Sequence, residues 1–182
     1  MPLREIDPIV ILDESIKDIK DGLWTCNTLV EEKEFKPGEK PMGCAAGLVG
    51  INAGAAQITE DTIHTPDGPL TVCYAHLDEP AADWGPGAKA ALEALAETVR
   101  MPKSRVEECR NKAREYALGS GEDPEFAELY EVVFRYNDTK GKQVQGYTYS
   151  KEHNLSKSAA LNWFKRARQY LINKQNGGNN AV

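Results

Sequence analysis

Apolar residues recur every three or four positions through most of this chain, and the breaks between the periodic stretches mark its elements. Ile9, Leu12, Ile16 and Ile19 share one helical face, with Leu23 continuing the stripe. Asp7-Pro8 opens that helix, because Asp can cap and Pro at the first helical position loses no hydrogen bond. Gly22 stops it. Residues 24–40 are irregular, with a turn at Lys36-Pro37-Gly38. A helix of small residues follows, from about Pro41 to Gln57, holding Gly43, Gly47, Gly50 and Gly54. Each helical glycine costs roughly 0.5–1 kcal/mol relative to alanine. Four of them imply that another backbone lies close to this helix.

The period then changes. Thr62-Ile63-His64-Thr65 and Leu70-Thr71-Val72-Cys73-Tyr74 flank Pro66-Asp67-Gly68, which predicts a short β-hairpin. Helical spacing returns at Ala88, Ala91, Leu92, Leu95 and Val99, within a helix over Gly87–Met101. Pro102 breaks it, and Ser104-Arg105-Val106-Glu107 has the capping-box pattern of a restart. That next helix runs to Leu118 and stops at Gly119. Asp123-Pro124 opens another, with Phe126, Leu129, Tyr130, Val133 and Phe134 as its apolar face. Asp138-Thr139-Lys140-Gly141 suits a type I turn. Residues 143–154, with Val144, Tyr147 and Tyr149, read as a short strand or an ordered loop. Asn154 or Ser156 caps a last helix whose stripe is Ala160, Leu161, Phe164, Ala167 and Leu171. Residues 174–182 read as a disordered tail. The expected fold is mainly α: one compact domain over 1–173, of about five or six helices, carrying a small hairpin.

Composition narrows the class. At 182 residues, 41% hydrophobic and 27% charged, the chain has the balance of a soluble globular protein with a real core. Its net charge of −6 is spread along the sequence, which argues against binding nucleic acid through phosphates. Lys165-Arg166-Ala167-Arg168 is a short basic stretch suited to a solvated helix face. No apolar run is long enough to cross a bilayer, and Glu5 and Asp7 do not fit a signal peptide. A cytoplasmic protein with no membrane partner is expected, its four cysteines reduced.

Two blocks carry a resemblance. Cys44-Ala45-Ala46-Gly47-Leu48 and Tyr136-Asn137-Asp138-Thr139-Lys140-Gly141, with the final helix through Phe164–Ala167, are similar to segments of a family of small uncharacterised proteins from actinobacteria and their bacteriophages. The resemblance spans about half the chain. It implies a helical fold and a phage origin, but no reaction. Residues 59–86 and 143–155 look like additions to the family pattern, and they hold all three histidines.

Candidate chemistry is sparse. Cys44, near a helix N-terminus, is the candidate nucleophile of a cysteine-dependent hydrolase or transferase, with His64, His76 or His153 as base. Its other reading is a small buried residue on a packed face. His64, Cys73 and His76 are candidate zinc ligands, although strand alternation does not guarantee their convergence. Asn137 and Asp138 form either a binding pair or a loop tie made by side-chain-to-backbone bonds. Tyr74, Tyr147 and Tyr149 are further candidate binding residues. Trp24, Trp84 and Trp163 suit packing. No phosphate loop, dinucleotide fingerprint or nucleophile elbow is present. The expectation is a non-enzymatic interaction protein with a protein partner and no cofactor; an accessory virion component is a further alternative.

Overall fold

The computed structural model describes residues 5–31, 33–77, 84–142 and 153–177. Six helices and one hairpin lie among them: α1 (Pro8–Lys20), α2 (Ala45–Asn52), β1 (Gln57–Thr65), β2 (Gly68–His76), α3 (Pro86–Glu97), α4 (Lys103–Ser120), α5 (Pro124–Thr139) and α6 (Lys157–Gln175). The mainly α fold with a small hairpin is as expected from the sequence.

Position in the bundle follows polarity. α2 and α3 are the least polar helices, and they are the inner ones. α3 packs on α1, α2, α5 and α6, and buries Ala88, Ala91, Leu92, Ala94, Leu95 and Ala96 around most of its circumference. Its small side chains let neighbouring helices approach closely. The Nε1 of Trp163 on α6 donates to the Leu95 carbonyl at 2.9 Å, so the one polar atom of that buried ring is paired. α1, α4, α5 and α6 keep a wet face.

Local chemistry sets most boundaries. The Asp7 carboxylate accepts from the Ile9 N–H at 2.8 Å, capping α1 with Pro8 in its first turn. Ser156 caps α6 by accepting from Ala159 N–H at 3.2 Å. A polar cluster ties α1 to α2. Buried Asp18 accepts from Lys40 Nζ at 3.0 Å and from Asn52 Nδ2 at 2.8 Å, so its charge is paired.

Several boundaries differ from the expected ones. α2 spans only Ala45–Asn52 rather than 41–57. Gly43 is extended, bridging to Trp24 on one side and Val30 on the other, and Cys44 is the cap. Gly54 follows the helix with φ of +77°, while Ala55 N–H bonds back to the Gly50 carbonyl. α4 starts at Lys103 with Pro102 at its cap, so Ser104 lies inside the helix rather than before it. α4 runs past Gly119 and stops at Gly121, the glycine that adopts the left-handed conformation. α3 ends at Glu97, short of Met101, and α6 extends through Gln175 into the expected tail. α5 continues through Thr139, so no separate turn begins at Asp138.

The expected close approach to α2 is present. A Cβ built on Gly47 would lie 1.8 Å from the Leu29 carbonyl oxygen, a contact with main chain rather than a movable side chain. Glycine at 47 therefore lets residues 29–30 run across the helix.

The hairpin is longer than the sequence suggests. Both strands have nine residues and pair in register from Gln57↔His76 to Thr65↔Gly68. Pro66-Asp67 makes the turn. The hairpin is anchored from the middle of β2 down to its base. Val72, Cys73 and Leu77 are buried, and Phe35 exchanges two main-chain bonds with Cys73, at 3.1 and 2.8 Å.

Candidate functional site

The two family-like blocks meet at one residue. Asn137 lies in the last turn of α5 and is fully buried. Its Oδ1 accepts from Trp24 Nε1 at 2.8 Å and from the Ala45 N–H, in the first turn of α2, at 3.2 Å. Its Nδ2 donates to the Thr25 carbonyl at 3.3 Å and to Asp138 Oδ1 at 2.8 Å. Its own carbonyl accepts from Leu155 N–H at 3.0 Å. This one residue thus joins α5 to the 24–27 loop and the start of α2 through its side chain, and to the segment before α6 through its carbonyl.

Asp138 extends the knot. It was expected to accept N–H bonds within its own turn. Instead its Oδ1 accepts from Asn27 N–H at 2.9 Å, more than a hundred residues away in sequence. The helix does not turn at Asp138, so the carboxylate points back across the chain. Asn27 meets it with φ of +65°, a left-handed conformation that asparagine tolerates better than most residues. Burial pushes the Asp138 carboxyl above the ordinary range, against the opposing effects of the Asn27 and Asn137 hydrogen bonds. Oδ2 is buried without a hydrogen-bond partner among the described residues. Tyr136 turns into the core, edge-on to Trp163 at 4.7 Å between ring centroids.

The thiols at this knot are poorly suited to nucleophilic work. Cys44 is fully buried, and its sulfur accepts from Gly47 N–H at 3.4 Å as the cap of α2. Burial pushes the thiol up to about 12, despite the helix N-terminus. Half-buried Cys26 sits 3.5 Å from the Asn137 carbonyl, and burial together with the Asp138 charge pushes it up to about 12 as well. Neither holds useful thiolate near neutral pH. The N-terminal dipole at Cys44 is outweighed by desolvation.

The zinc arrangement does not form. His64 pairs with Pro69, and His76 pairs with Gln57 at the other end of the hairpin. Seven steps along the strand (from 69 to 76) at about 3.4 Å each separate the two histidine positions by roughly 24 Å. Cys73 lies between them, bound through its main chain to Phe35. Among the described residues no three His, Cys, Asp or Glu side chains are grouped to hold a metal. Tyr74 is not free either, since its hydroxyl donates to Glu34 Oε1 at 2.9 Å. Tyr147 and Tyr149 lie outside the described residues.

Two features were not anticipated, and a third only in kind. The 24–27 loop is the partner of Asn137, and only Trp24 there carried a sequence signal. A cleft of about 350 Å³ lies between α4 and α5, lined by Lys112, Tyr116, Tyr130 and Arg135 among others. Its cations are engaged, Lys112 with Glu108 and Arg135 with Glu131. Finally, β1 is exposed along most of its length. The hairpin acids Glu60, Asp61 and Asp67 sit in a stretch, Pro41 through Ala88, that contains no Lys or Arg.

No family model, curated protein or solved structure matches this chain. Among the described residues no helix is long and apolar enough to cross a membrane.

Proposed function

We propose that this protein is a non-enzymatic binding module that acts in the cytoplasm by holding another protein, and that the hairpin is its contact element. One observation carries the reading: β1 and β2 project a nine-residue ladder whose outer strand is solvent-exposed from Gln57 through Thr62, on a body that does not need it for its core. An isolated hairpin of this kind is marginal in water unless something covers it. Ile58 and Leu70 are each about half exposed on it, at 53% and 46%. Tyr116 and Leu118 are more exposed still, on α4, so the apolar surface is divided rather than gathered on the hairpin. Cys44, Asn137 and Asp138 are instead bonded inside the fold. The likeness to proteins of actinobacteria and their phages supports a phage-encoded origin.

Hairpin excision tests the reading. Gln57 and His76 face each other across the ladder, so residues 58–75 can be replaced by a short Gly-rich turn. The expected result is a body with parental helical circular dichroism that no longer retains the partner held by the parent chain in the natural host. Equal retention by the excised chain refutes the reading. Partner recovery only in sedimented particles indicates a virion component instead.

A further inference from the structure

If the hairpin is the contact element, its ladder geometry and its charge select one edge and one partner chemistry; this step rests on the binding-module reading. In an antiparallel ladder, residues alternate between pointing their main-chain groups at the partner strand and pointing them away. Phe35 both donates to and accepts from Cys73, so Cys73 points away from β1. Its cross-strand partner Glu60 therefore points its N–H and carbonyl away from β2. Ile58, Thr62 and His64 share that parity. Pro69 opposite His64 agrees, because proline fits only where the ladder asks for no N–H.

The two outer edges of the hairpin differ. Phe35 pairs with the β2 edge at Cys73. On the β1 edge, Ile58, Glu60, Thr62 and His64 have no main-chain partner among the described residues; the Thr62 N–H turns to the Asp61 carboxylate at 2.8 Å. Charge selects the occupant. Glu60 and Asp61 lie at the middle of the strand, on its two opposite faces, and among the described residues neither is in an ion pair. A second copy pairing antiparallel about the strand's midpoint would set Asp61 against Asp61, which is unfavourable. Nucleic acid and anionic lipid would meet the same charge.

We propose that the outer edge of β1 takes an extended segment of a partner protein as an added strand, and that this segment carries adjacent Lys or Arg residues opposite Glu60 and Asp61. Main-chain bonds supply the pairing, and the basic pair supplies the selectivity.

Two capped synthetic peptides test this on the intact chain, Thr-Val-Thr-Lys-Arg-Thr-Val-Thr and the same framework with Glu-Asp at its centre. Amide shifts are followed by NMR at low and at physiological salt. The basic peptide is expected to give saturable shifts at Ile58, Glu60, Thr62 and His64, with the acidic peptide at least about tenfold weaker. The double variant Glu60→Lys, Asp61→Lys should reverse the preference. Thr62→Pro removes an outward N–H that β2 does not use and whose described acceptor is the Asp61 carboxylate of its own strand, and should weaken binding about tenfold with the β2 signals unchanged. No saturable shift up to about 1 mM peptide, shifts centred elsewhere, or indifference to charge reversal overturns the proposal. So does a peptide-free dimer sealed at β1, or a labelled oligonucleotide that binds this edge. If excision abolishes partner retention while the peptides fail, this edge assignment falls and the hairpin reading stands. If the peptides bind while excision leaves retention intact, the hairpin reading falls.

Discussion

Asn137→Ala is the sharpest test of the central knot. The substitution removes an acceptor shared by Trp24 Nε1 and Ala45 N–H, and a donor to Thr25 and Asp138. Ala45 is fully buried, so its N–H is left without a partner, which costs about 1–3 kcal/mol. Trp24 is only partly buried and can recruit water, so its lost bond counts for about 0.5–1.5 kcal/mol. Asp138, with one carboxylate oxygen already lacking a partner, loses a second contact that adds about 1 kcal/mol. Alanine's better helix propensity returns about half a kcal/mol. The expected net loss is about 2–5 kcal/mol, more than a single cap because one amide serves four neighbours. Urea unfolding followed by far-UV circular dichroism reads it directly. With a slope near 2 kcal/mol per molar, the midpoint should fall by about 1–2.5 M at unchanged slope. Asn137→Leu fills most of the volume without the bonds and should still lose at least about 2 kcal/mol. A loss under about 1 kcal/mol for both variants refutes the reasoning. Full stability with loss of partner binding would assign Asn137 to a binding site instead.

Gly47→Ala should destabilise by at least about 2 kcal/mol, because its Cβ meets the Leu29 main chain, whereas Gly50→Ala should change stability by under about 1 kcal/mol, because its Cβ meets only the Leu77 and Trp84 side chains at 3.0–3.2 Å. Both gain the same helix propensity, so the difference between the two melting curves isolates the backbone contact; equal curves refute it. The Cys44 thiol, buried and raised to about 12, should be alkylated near neutral pH only at the rate of unfolding, and fast labelling of the folded chain would restore the nucleophile reading. The Asp138 carboxyl is raised in the folded state, so between the ordinary value of about 4 and its own value the folded chain holds more protons than the unfolded one. Its contribution to stability therefore falls as pH rises through that window. Asp138→Asn keeps the acceptor for Asn27 and should flatten this slope without loss of stability at pH 7; an unchanged pH profile by urea titration contradicts the assignment.

Elements governed by local chemistry were legible in the sequence, and elements governed by distant contacts were not. Asp7-Pro8, Asp123-Pro124 and Ser156 each cap a helix through bonds to residues two or three positions on. The crowding of α2 was readable from its glycines, since only a near neighbour explains Gly47. The helix's true ends were not, because Gly43 is held extended by Trp24 and Val30, which lie far back in the chain. The same limit explains Asp138. A local rule assigns Asp followed three positions later by Gly to a turn, and the N–H of Asn27 draws the carboxylate elsewhere. That Asn137 would bond toward the loop before α2 was legible in kind, but its contacts with Trp24 and Thr25 required the tertiary path. The Lys- and Arg-free stretch from Pro41 to Ala88 was plain in the sequence. Its meaning emerged only once β1 proved to be an outer strand.

That stretch does two different jobs in the fold. Its first part is α2, wedged between α1, α3 and α5, where a cation would be buried and costly. Its second part is the hairpin, where β1 is exposed but the positions opposite Glu60 and Asp61 are buried, so a cation that would steady the ladder from there would itself be costly. Cross-strand neighbours there are Cys73 and Val72, which serve the anchored base rather than the charge. The strand therefore keeps an acidic centre that its own partner does not neutralise, beside main-chain groups that its own sheet does not use. Acidic residues on an open edge also discourage self-pairing, which protects a folded chain from aggregation. The two roles are separable. An edge meant only to avoid pairing is indifferent to what is offered in solution, whereas an edge built for a basic segment binds it and exchanges preference when Glu60 and Asp61 are reversed.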